Sequence, residues 1–305
     1  MNAVEDRYPT RKEKEFIIPR TDPIVWGKET GHRRHPLDKE ELAFYEENGY
    51  LLVPNAFSQS EVDRLLAELN RIIDANEFEG REERVMEPDS NEVRSLFSPH
   101  RFSDLFERLS KDARILDRVT RILGSDVYIH QARINIKQAL HGKSFPWHSD
   151  FETWHAEDGL PHMRVLSGWI TLTDNNEFNG PLYLMAGSHK QYLSCPGQTP
   201  EDNYKQSLRK QAYGTPSLEG IRKLAENATL VSVHAPPGTL VFHDGNILHG
   251  SPDNLSPWSR TNIFFVYNSV ENLPGDRPFS LDGFRPEHLG SKNFAPLGSV
   301  ENAFI

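Results

Sequence analysis

The sequence predicts an α+β fold, with helices in the first part of the chain and an antiparallel barrel or double-sheet jelly roll in the second. Up to residue 124, apolar residues recur at helical spacing behind capping signals. From residue 126 onward, polar and apolar residues alternate in short runs that Pro- and Gly-rich turns separate. This change of period indicates that the helices flank a β core.

Three helices and one short strand are expected before the β core. Asp38 and Ser58 each precede a Glu by three positions, which is the pattern of a capping box at a helix start. Gly49 can end the first helix in the left-handed conformation, and the short strand 50–53 follows it. Apolar residues at helical spacing predict a third helix over 103–123.

The β core is expected to contain six strands. Their ranges are 126–137, 165–173, 182–185, 229–233, 239–243 and 261–267. In the first of them, strict alternation would place one set of side chains on a single face: Val127, Ile129, Gln131, Arg133, Asn135 and Lys137. Segment 200–225 is expected to be a helical or irregular insertion, and the chain after residue 268 is rich in Pro and Gly and should be loop-like.

The length and the distribution of prolines suggest the domain organisation. A chain of 305 residues can bury a sizeable core in one large domain or two small ones. Residues 1–36 are polar and contain four prolines, so we expect an arm that lies on the body or is solvated. Residues 37–305 would then form a single domain whose jelly-roll core covers about 126–268.

The composition excludes several classes of protein. The net charge of −10 argues against nucleic acid or an anionic membrane as the main partner. Apolar runs are shorter than a membrane span requires, and the polar N-terminal residues lack the apolar segment of a secretory signal. Cys195 is the single cysteine, which excludes an internal disulfide and a zinc site built on cysteines. A cytoplasmic protein is therefore expected.

A His-x-Asp pair and a distant histidine form a candidate metal site. His148 and Asp150 are two positions apart, and His249 follows a strand-like run that ends at His243. Two histidines and one carboxylate cover one face of an octahedral metal, as in non-haem Fe(II) oxygenases. The same donors also suit a zinc hydrolase. His155 and Glu157 are a second pair with similar spacing, so spacing alone leaves the site open.

Basic residues near this site favour an oxygenase that uses a 2-oxo acid. Arg260 lies eleven residues after His249, and a guanidinium can hold the far carboxylate of such a co-substrate in a bidentate pair. Lys137, on the strand face that also carries Gln131 and Asn135, could supply a second cation.

Several motifs resemble one protein superfamily. They are Asn179-Gly180-Pro181-Leu182, Gly187-Ser188-His189, Pro237-Gly238-Thr239, and His249-Gly250-Ser251 with Asn254 and Arg260. Together they resemble the phytanoyl-CoA dioxygenase superfamily. The runs 131–137, 145–159 and 172–175 are similar to the ectoine hydroxylases within it. The similarity extends from about residue 37 to residue 267.

The resemblance implies a double-stranded β-helix and an Fe(II)- and 2-oxoglutarate-dependent hydroxylase that consumes O₂. A small zwitterion would be the substrate, with ectoine, converted to 5-hydroxyectoine, as the leading candidate, and a homodimer is implied. The iron ligands would be His148, Asp150 and His249. The residues expected at 2-oxoglutarate are Lys137, Arg260, Phe97 and Asn135. Those expected at the substrate are Gln131, Phe145, Trp154, Ser167, Trp169, His243 and Phe264, and Arg285 could meet a substrate carboxylate.

The chain departs from the ectoine hydroxylase pattern in the expected substrate wall. His243 stands where these enzymes usually carry a Phe, six residues before the distal iron ligand, and Trp169 stands in place of a Ser. These changes keep a second hypothesis open, in which the substrate is another amino acid or a natural-product intermediate. A non-catalytic jelly-roll protein that binds a ligand is a third hypothesis, although it would not need the complete triad and Arg260.

Overall fold

The computed structural model describes residues 6–27, 36–75, 77–87, 90–207 and 212–304. Its helices are α1 (Lys39–Asn48), α2 (Gln59–Asp74), α3 (Asp104–Ser110), α4 (Ala113–Leu123), α5 (Asp150–Asp158), α6 (Tyr204–Ser207) and α7 (Leu218–Ala225). Its strands are β1 (Ile17–Pro19), β2 (Tyr50–Val53), β3 (Arg84–Met86), β4 (Val93–Phe97), β5 (Val127–Lys137), β6 (Phe145–His148), β7 (Val165–Thr171), β8 (Tyr183–Ala186), β9 (Gln191–Leu193), β10 (Thr229–Ser232), β11 (Leu240–Asp244), β12 (His249–Ser251) and β13 (Arg260–Ser269).

The expected mixture of helices and antiparallel strands is confirmed. Seven strands form the largest sheet, in the order β2-β11-β7-β13-β5-β4-β3, and four form a second sheet, in the order β10-β8-β12-β6. The main hydrophobic core lies between helices α2–α4 and the large sheet, since it contains residues of all these elements. A smaller apolar cluster joins the two sheets through Trp169, Leu184, Val241 and Phe264.

The capping signals mark the starts of the first two helices correctly, whereas the third helix was predicted wrongly. Asp38 and Ser58 each form a complete capping box, and Gly49 ends α1 with a φ of 77°. The expected helix over 103–123 is two helices, α3 and α4. The chain breaks at Asp112, whose side chain accepts a hydrogen bond from the Arg114 amide and thereby caps α4.

The first strand of the predicted core does not present one face throughout. A bulge in the β5–β13 ladder lies where Val266 pairs with Gln131 and the next residue pairs with Ile129. Val127 and Ile129 therefore pack into the helix-side core, whereas Gln131, Arg133, Asn135 and Lys137 line a cavity on the other side of the sheet. A single extra residue reverses the direction of every side chain before it.

The described part of the N-terminal arm packs on the body of the protein. Strand β1 pairs with β9, and Tyr8 is completely buried. Arg11 is also buried and forms a bidentate ion pair with Glu152 of α5, with N–O distances of 2.6 and 2.9 Å. The alternative of a solvated leader is therefore wrong for residues 6–27. Residues 1–5 and 28–35 of the expected arm lie outside the described residues.

Within the ranges given above, every helix is too short or too polar to span a bilayer.

Candidate active site

Three elements bring the predicted metal ligands together. His148 ends β6, Asp150 begins α5, and His249 begins β12 opposite His148 in the antiparallel ladder. His148 Nε2 lies 3.5 Å from Asp150 Oδ1, and His249 Nε2 lies 3.8 Å from Asp150 Oδ2. All three side chains are buried, and one ligand atom from each lies within 4.8 Å of the others. Ser149, between the first two ligands, has an extended backbone and caps α5, so the strand end and the helix start lie next to each other.

Hydrogen bonds set both histidines in the tautomer that a metal requires. The Nδ1 atom of His148 lies 2.9 Å from the Pro146 carbonyl, and that of His249 lies 3.1 Å from the Ile247 carbonyl. A carbonyl oxygen only accepts, so each Nδ1 carries the proton and each Nε2 presents a lone pair. Such support of ligating histidines by backbone carbonyls is typical of metal sites.

The electrostatics of the triad also suit a cation. Burial would raise the pKa of Asp150, but the neighbouring His249 and Arg133 outweigh it and hold this pKa well below its ordinary value. Burial and the nearby His148 lower the pKa of His249 well below its ordinary value. The carboxylate is thus ionised and the imidazole neutral, as metal binding requires. Among the described residues, Asp150 Oδ2 has no hydrogen-bond partner, so the donor set fits a divalent metal.

A cavity of about 170 Å³ opens from the triad between the two sheets. Besides the triad, it is lined by nine of the residues predicted from the sequence: Phe97, Gln131, Asn135, Lys137, Phe145, Trp154, Arg260, Phe264 and Arg285. The rival pair, His155 and Glu157, lies elsewhere. His155 bonds to Asp6 and to the Leu160 carbonyl, and Glu157 lies 3.2 Å from Arg11.

Two basic side chains lie next to each other in the cavity lining. Lys137 and Arg260 are register partners across the β5–β13 ladder and are both buried. Burial lowers the pKa of Lys137 to about 6, with further contributions from Arg260 and Arg94. Burial and Arg94 lower the pKa of Arg260 to about 10. The Lys137 ammonium donates to Ser251 Oγ and the Pro252 carbonyl, at 2.7 and 2.6 Å. A carboxylate that enters here would stabilise the charged form of both side chains.

The rest of the lining combines aromatic faces with amide and guanidinium groups. Phe145 and Trp154 belong to the elements that carry the triad, β6 and α5. Gln131 is held by its side-chain amide, which donates to the Leu289 carbonyl at 2.8 Å. Arg285 lines the cavity but is already bidentate with Asp158.

Arg133 lines the cavity but was not predicted as a site residue, although its place on this face of β5 was predicted. The Arg133 guanidinium lies 5.0 Å from the centre of the Phe264 ring and 3.7 Å from Asp150 Oδ2. It is therefore the cation nearest to the carboxylate ligand. Other lining residues that the sequence argument did not single out are Arg94, Ser95, Thr153, Leu182 and Ser251.

Three predicted substrate residues, Ser167, Trp169 and His243, are not part of the cavity lining, and their role at the substrate stays a prediction. All three are completely buried on the central strands β7 and β11. Phe264 stacks on Trp169 with ring centres 5.1 Å apart and itself lines the cavity. His243 lies behind Asp150, 3.8 Å from its Oδ2 atom. The two departures from the family pattern thus lie one layer behind the wall.

Two buried histidines and a carboxylate beside a cationic pair are the arrangement of non-haem Fe(II) oxygenases. The family model of phytanoyl-CoA dioxygenase matches residues 45–262, and the chain belongs to this family. It is 46% identical over 306 residues to an ectoine dioxygenase from Bordetella bronchiseptica, covering 99% of this chain and 98% of that protein.

Solved structures of EctD are also similar to this chain. EctD from S. alaskensis with bound Fe is 36% identical, with a TM-score of 0.86 and coverage of 97% of this chain and 98% of that one. EctD from the same organism has also been solved with 2-oxoglutarate and 5-hydroxyectoine. That structure has a TM-score of 0.85 at the same identity and covers 96% of each chain.

Proposed function

We propose that this chain is an Fe(II)- and 2-oxoglutarate-dependent dioxygenase that hydroxylates ectoine to 5-hydroxyectoine. The observation that carries the proposal is the triad of His148, Asp150 and His249, in which both imidazoles present a lone pair toward an ionised carboxylate. The similarity to ectoine dioxygenases over nearly the full length supports the substrate. The S. alaskensis complex supports the co-substrate.

The fold and the domain division extend this proposal. We infer that the two sheets form a double-stranded β-helix, or jelly roll, with its core at about 126–268. The apolar cluster shared by both sheets and the cavity between them support this inference. Residues 37–305 would be one catalytic domain, and residues 1–36 an arm that docks on it through β1 and Arg11.

Each group of side chains then has a role. Bound Fe(II) with 2-oxoglutarate supplies the chemistry that inserts an oxygen atom of O₂ into a C–H bond. His148, Asp150 and His249 would hold the metal, and Arg260 with Lys137 would neutralise the far carboxylate of 2-oxoglutarate. Phe97 and Asn135 would flank the co-substrate, and the Asn135 amide is fixed by Ser95, whose hydroxyl donates to it at 2.9 Å.

The aromatic side chains that line the cavity suit a cationic substrate. Ectoine carries a delocalised cationic ring, and each aromatic face can hold such a cation with about 0.5–2 kcal/mol. Phe145, Trp154 and Phe264 provide these faces, and Gln131 adds a hydrogen-bonding amide. Arg133 provides positive charge for the ectoine carboxylate. The side chains therefore match both charges of a zwitterion.

The test is succinate release from 2-oxoglutarate by anaerobically purified, Fe(II)-loaded protein in air, with and without ectoine. We expect succinate to form at a rate that depends on ectoine, together with a product heavier by one oxygen atom. Slow succinate release that ectoine does not change would contradict ectoine as the substrate. An Asp150→Ala variant that still turns over would contradict the triad.

A second candidate keeps the reaction and changes the substrate to another amino acid or a natural-product intermediate. Trp169 and His243 favour it, because Trp169 supports Phe264 from behind and can thereby shift the substrate wall. A panel of small zwitterions, scored by succinate release, separates the candidates. Ectoine as the best substrate by a wide margin would remove this one, whereas tight ligand binding without any turnover would favour a non-catalytic protein.

The homodimer and the cytoplasmic location also stay proposals. Four large apolar side chains are exposed on three turns that hydrogen-bond to one another: Leu140, Phe178, Leu255 and Trp258. Such a patch is typical of a protein–protein interface, and a second copy of the chain would cover it. Light scattering should show a dimer that Trp258→Glu dissociates. A monomeric wild type would contradict this interface.

A further inference from the structure

A third histidine lies next to the carboxylate of the candidate metal site. The ring centre of His243 is 5.1 Å from that of His249, and its Nε2 atom is 3.8 Å from Asp150 Oδ2. In position alone, His243 could be a further ligand. Its hydrogen bonds show that it has a different role.

The indole of Trp169 fixes the tautomer of His243. Trp169 Nε1 donates to His243 Nδ1 at 3.1 Å. An indole N–H only donates, so Nδ1 holds the lone pair and the proton of the neutral ring is on Nε2. This is the opposite of His148 and His249, whose Nδ1 atoms face carbonyls. His243 therefore presents an N–H, and not a lone pair, to Asp150.

In the described part of the chain, the two atoms that face each other lack hydrogen bonds, although Asp150 Oδ2 also lies 3.7 Å from the Arg133 guanidinium. Within the described ranges, Asp150 Oδ2 and His243 Nε2 are both buried without a hydrogen bond. Buried polar atoms are nearly always paired, and metal-binding carboxylates are usually hydrogen-bonded by the surrounding protein. Hydrogen bonds at catalytic sites are often long before the ligands bind and then tighten. The separation of 3.8 Å is consistent with such a contact.

The sheet holds this pair rigidly. Trp169 is the register partner of both Val241 and Phe264, so Trp169 and His243 are diagonal neighbours on adjacent strands. Trp169 also stacks on Phe264 at an interplanar angle of 23°. Both side chains are completely buried. The stack on Phe264 fixes the position of the indole, and the hydrogen bond from the indole fixes the tautomer of the imidazole.

We propose that Trp169 and His243 act as a positioning pair for the metal site. The Trp169 indole fixes the His243 tautomer, and the His243 N–H holds the second oxygen of Asp150 so that the first oxygen is free for the metal. The proposal deepens the proposed function and rests on its metal site, but not on the identity of the substrate.

Metal affinity measured by calorimetry, without substrate, tests the pair. His243→Phe should weaken Fe(II) or Co(II) binding by about 10–100-fold, as loss of a partner that supports a ligand usually does. His243→Gln can accept from Trp169 and donate to Asp150, and should stay close to wild type. Trp169→Phe keeps the stack on Phe264 but loses the N–H. Its metal affinity should lie between those of His243→Phe and His243→Gln. Phe242→Leu, on the same strand but in the helix-side core, is the control that should lower stability without changing metal affinity.

A double variant separates positioning from packing. Because Trp169 acts through His243, Trp169→Phe should cost nothing further in the His243→Phe background. The absorption spectrum of bound Co(II) should change in His243→Phe and be restored in His243→Gln. Wild-type affinity in His243→Phe, or an equal effect of Trp169→Phe in both backgrounds, would overturn the proposal. Failure to hydroxylate ectoine would contradict the proposed function alone.

Discussion

Lys137 lies directly opposite Arg260 across the β5–β13 ladder, so two buried basic side chains share one part of the cavity lining. Residues in register on neighbouring antiparallel strands point to the same face, and like charges in such a position destabilise each other. This arrangement is unfavourable by itself and becomes favourable when an anion binds.

The affinity for 2-oxoglutarate should depend on pH through Lys137. Burial lowers the pKa of this lysine from 10.5 to about 6, so it is largely neutral above pH 6 in the free protein. A bound carboxylate favours the ammonium form, so binding above pH 6 takes up a proton, and affinity should fall by up to about tenfold per pH unit. Calorimetry at pH 7.5 in buffers of different ionisation enthalpy measures the uptake. The exposed Lys223→Met is the control for Lys137→Met, and uptake that persists in Lys137→Met would contradict the assignment.

Metal binding should depend on the triad and not on the rival pair. Asp150→Ala and His148→Ala each remove one of three ligand atoms, so bound Fe(II) should fall below detection. His155→Gln should keep the metal, because His155 bonds to Asp6 and the Leu160 carbonyl. Metal content after dialysis is the measurement. Loss of metal from His155→Gln in a protein of normal helix content would contradict the site.

Removal of Arg11 should destabilise the protein strongly. Arg11→Met leaves Glu152 buried without its bidentate partner, and breaking such a pair costs about 3–5 kcal/mol in the free energy of unfolding. Urea denaturation at pH 7.5 measures this change. The variant Arg11→Met/Glu152→Gln removes the unpaired charge and should recover part of the loss. If the double variant is no more stable than Arg11→Met, the unpaired charge of Glu152 is not the cause of the lost stability.

The stabilisation by the Arg11–Glu152 ion pair should decrease at acidic pH. Burial would raise the pKa of Glu152, but Arg11 and Thr10 outweigh it and lower this pKa below its ordinary value. The stabilisation is therefore fully present above the ordinary value of 4.5 and is lost as the pH falls through the lowered one. The difference in stability between wild type and Arg11→Met should shrink over this acidic range.

Phe145 should contribute to substrate affinity through its aromatic face. Phe145→Leu keeps apolar bulk but removes the π system, so the KM for ectoine should rise by about 2–30-fold, which corresponds to 0.5–2 kcal/mol. Phe145→Tyr retains the ring and should stay near wild type. Steady-state kinetics with saturating 2-oxoglutarate measure the change. An equal KM in the Leu and Tyr variants would argue against a cation–π contact.

Local signals in the sequence predicted the parts of the fold that depend on neighbouring residues. The capping boxes at Asp38 and Ser58 are satisfied within one helical turn, so sequence alone locates them. The bulge at residue 130 was missed, because it depends on how β13 pairs with β5 and not on either strand alone. The break at Asp112 was missed for a similar reason, since Asp112 is anchored by tertiary contacts that include the Ala303 amide.

The candidate site was predictable to a similar extent. Motifs, alternation and the family resemblance predicted many of the residues that line the cavity, including Lys137 and Arg260, but not Arg133. The sequence identified Trp169 and His243 as unusual but could not show that they contact each other. They are 74 positions apart, and only the register of β7 and β11 makes them neighbours.

The docked N-terminal segment has a consequence for the order of folding during synthesis. Strand β1 and Arg11 leave the ribosome first, but their partners, β9 and Glu152, are made well over a hundred residues later. Such non-local contacts form slowly and only after the distant segments exist. This early segment is therefore among the last parts of the chain to reach its native position. Since Arg11 holds the helix that begins with Asp150, completion of the metal site depends on the late docking of this segment.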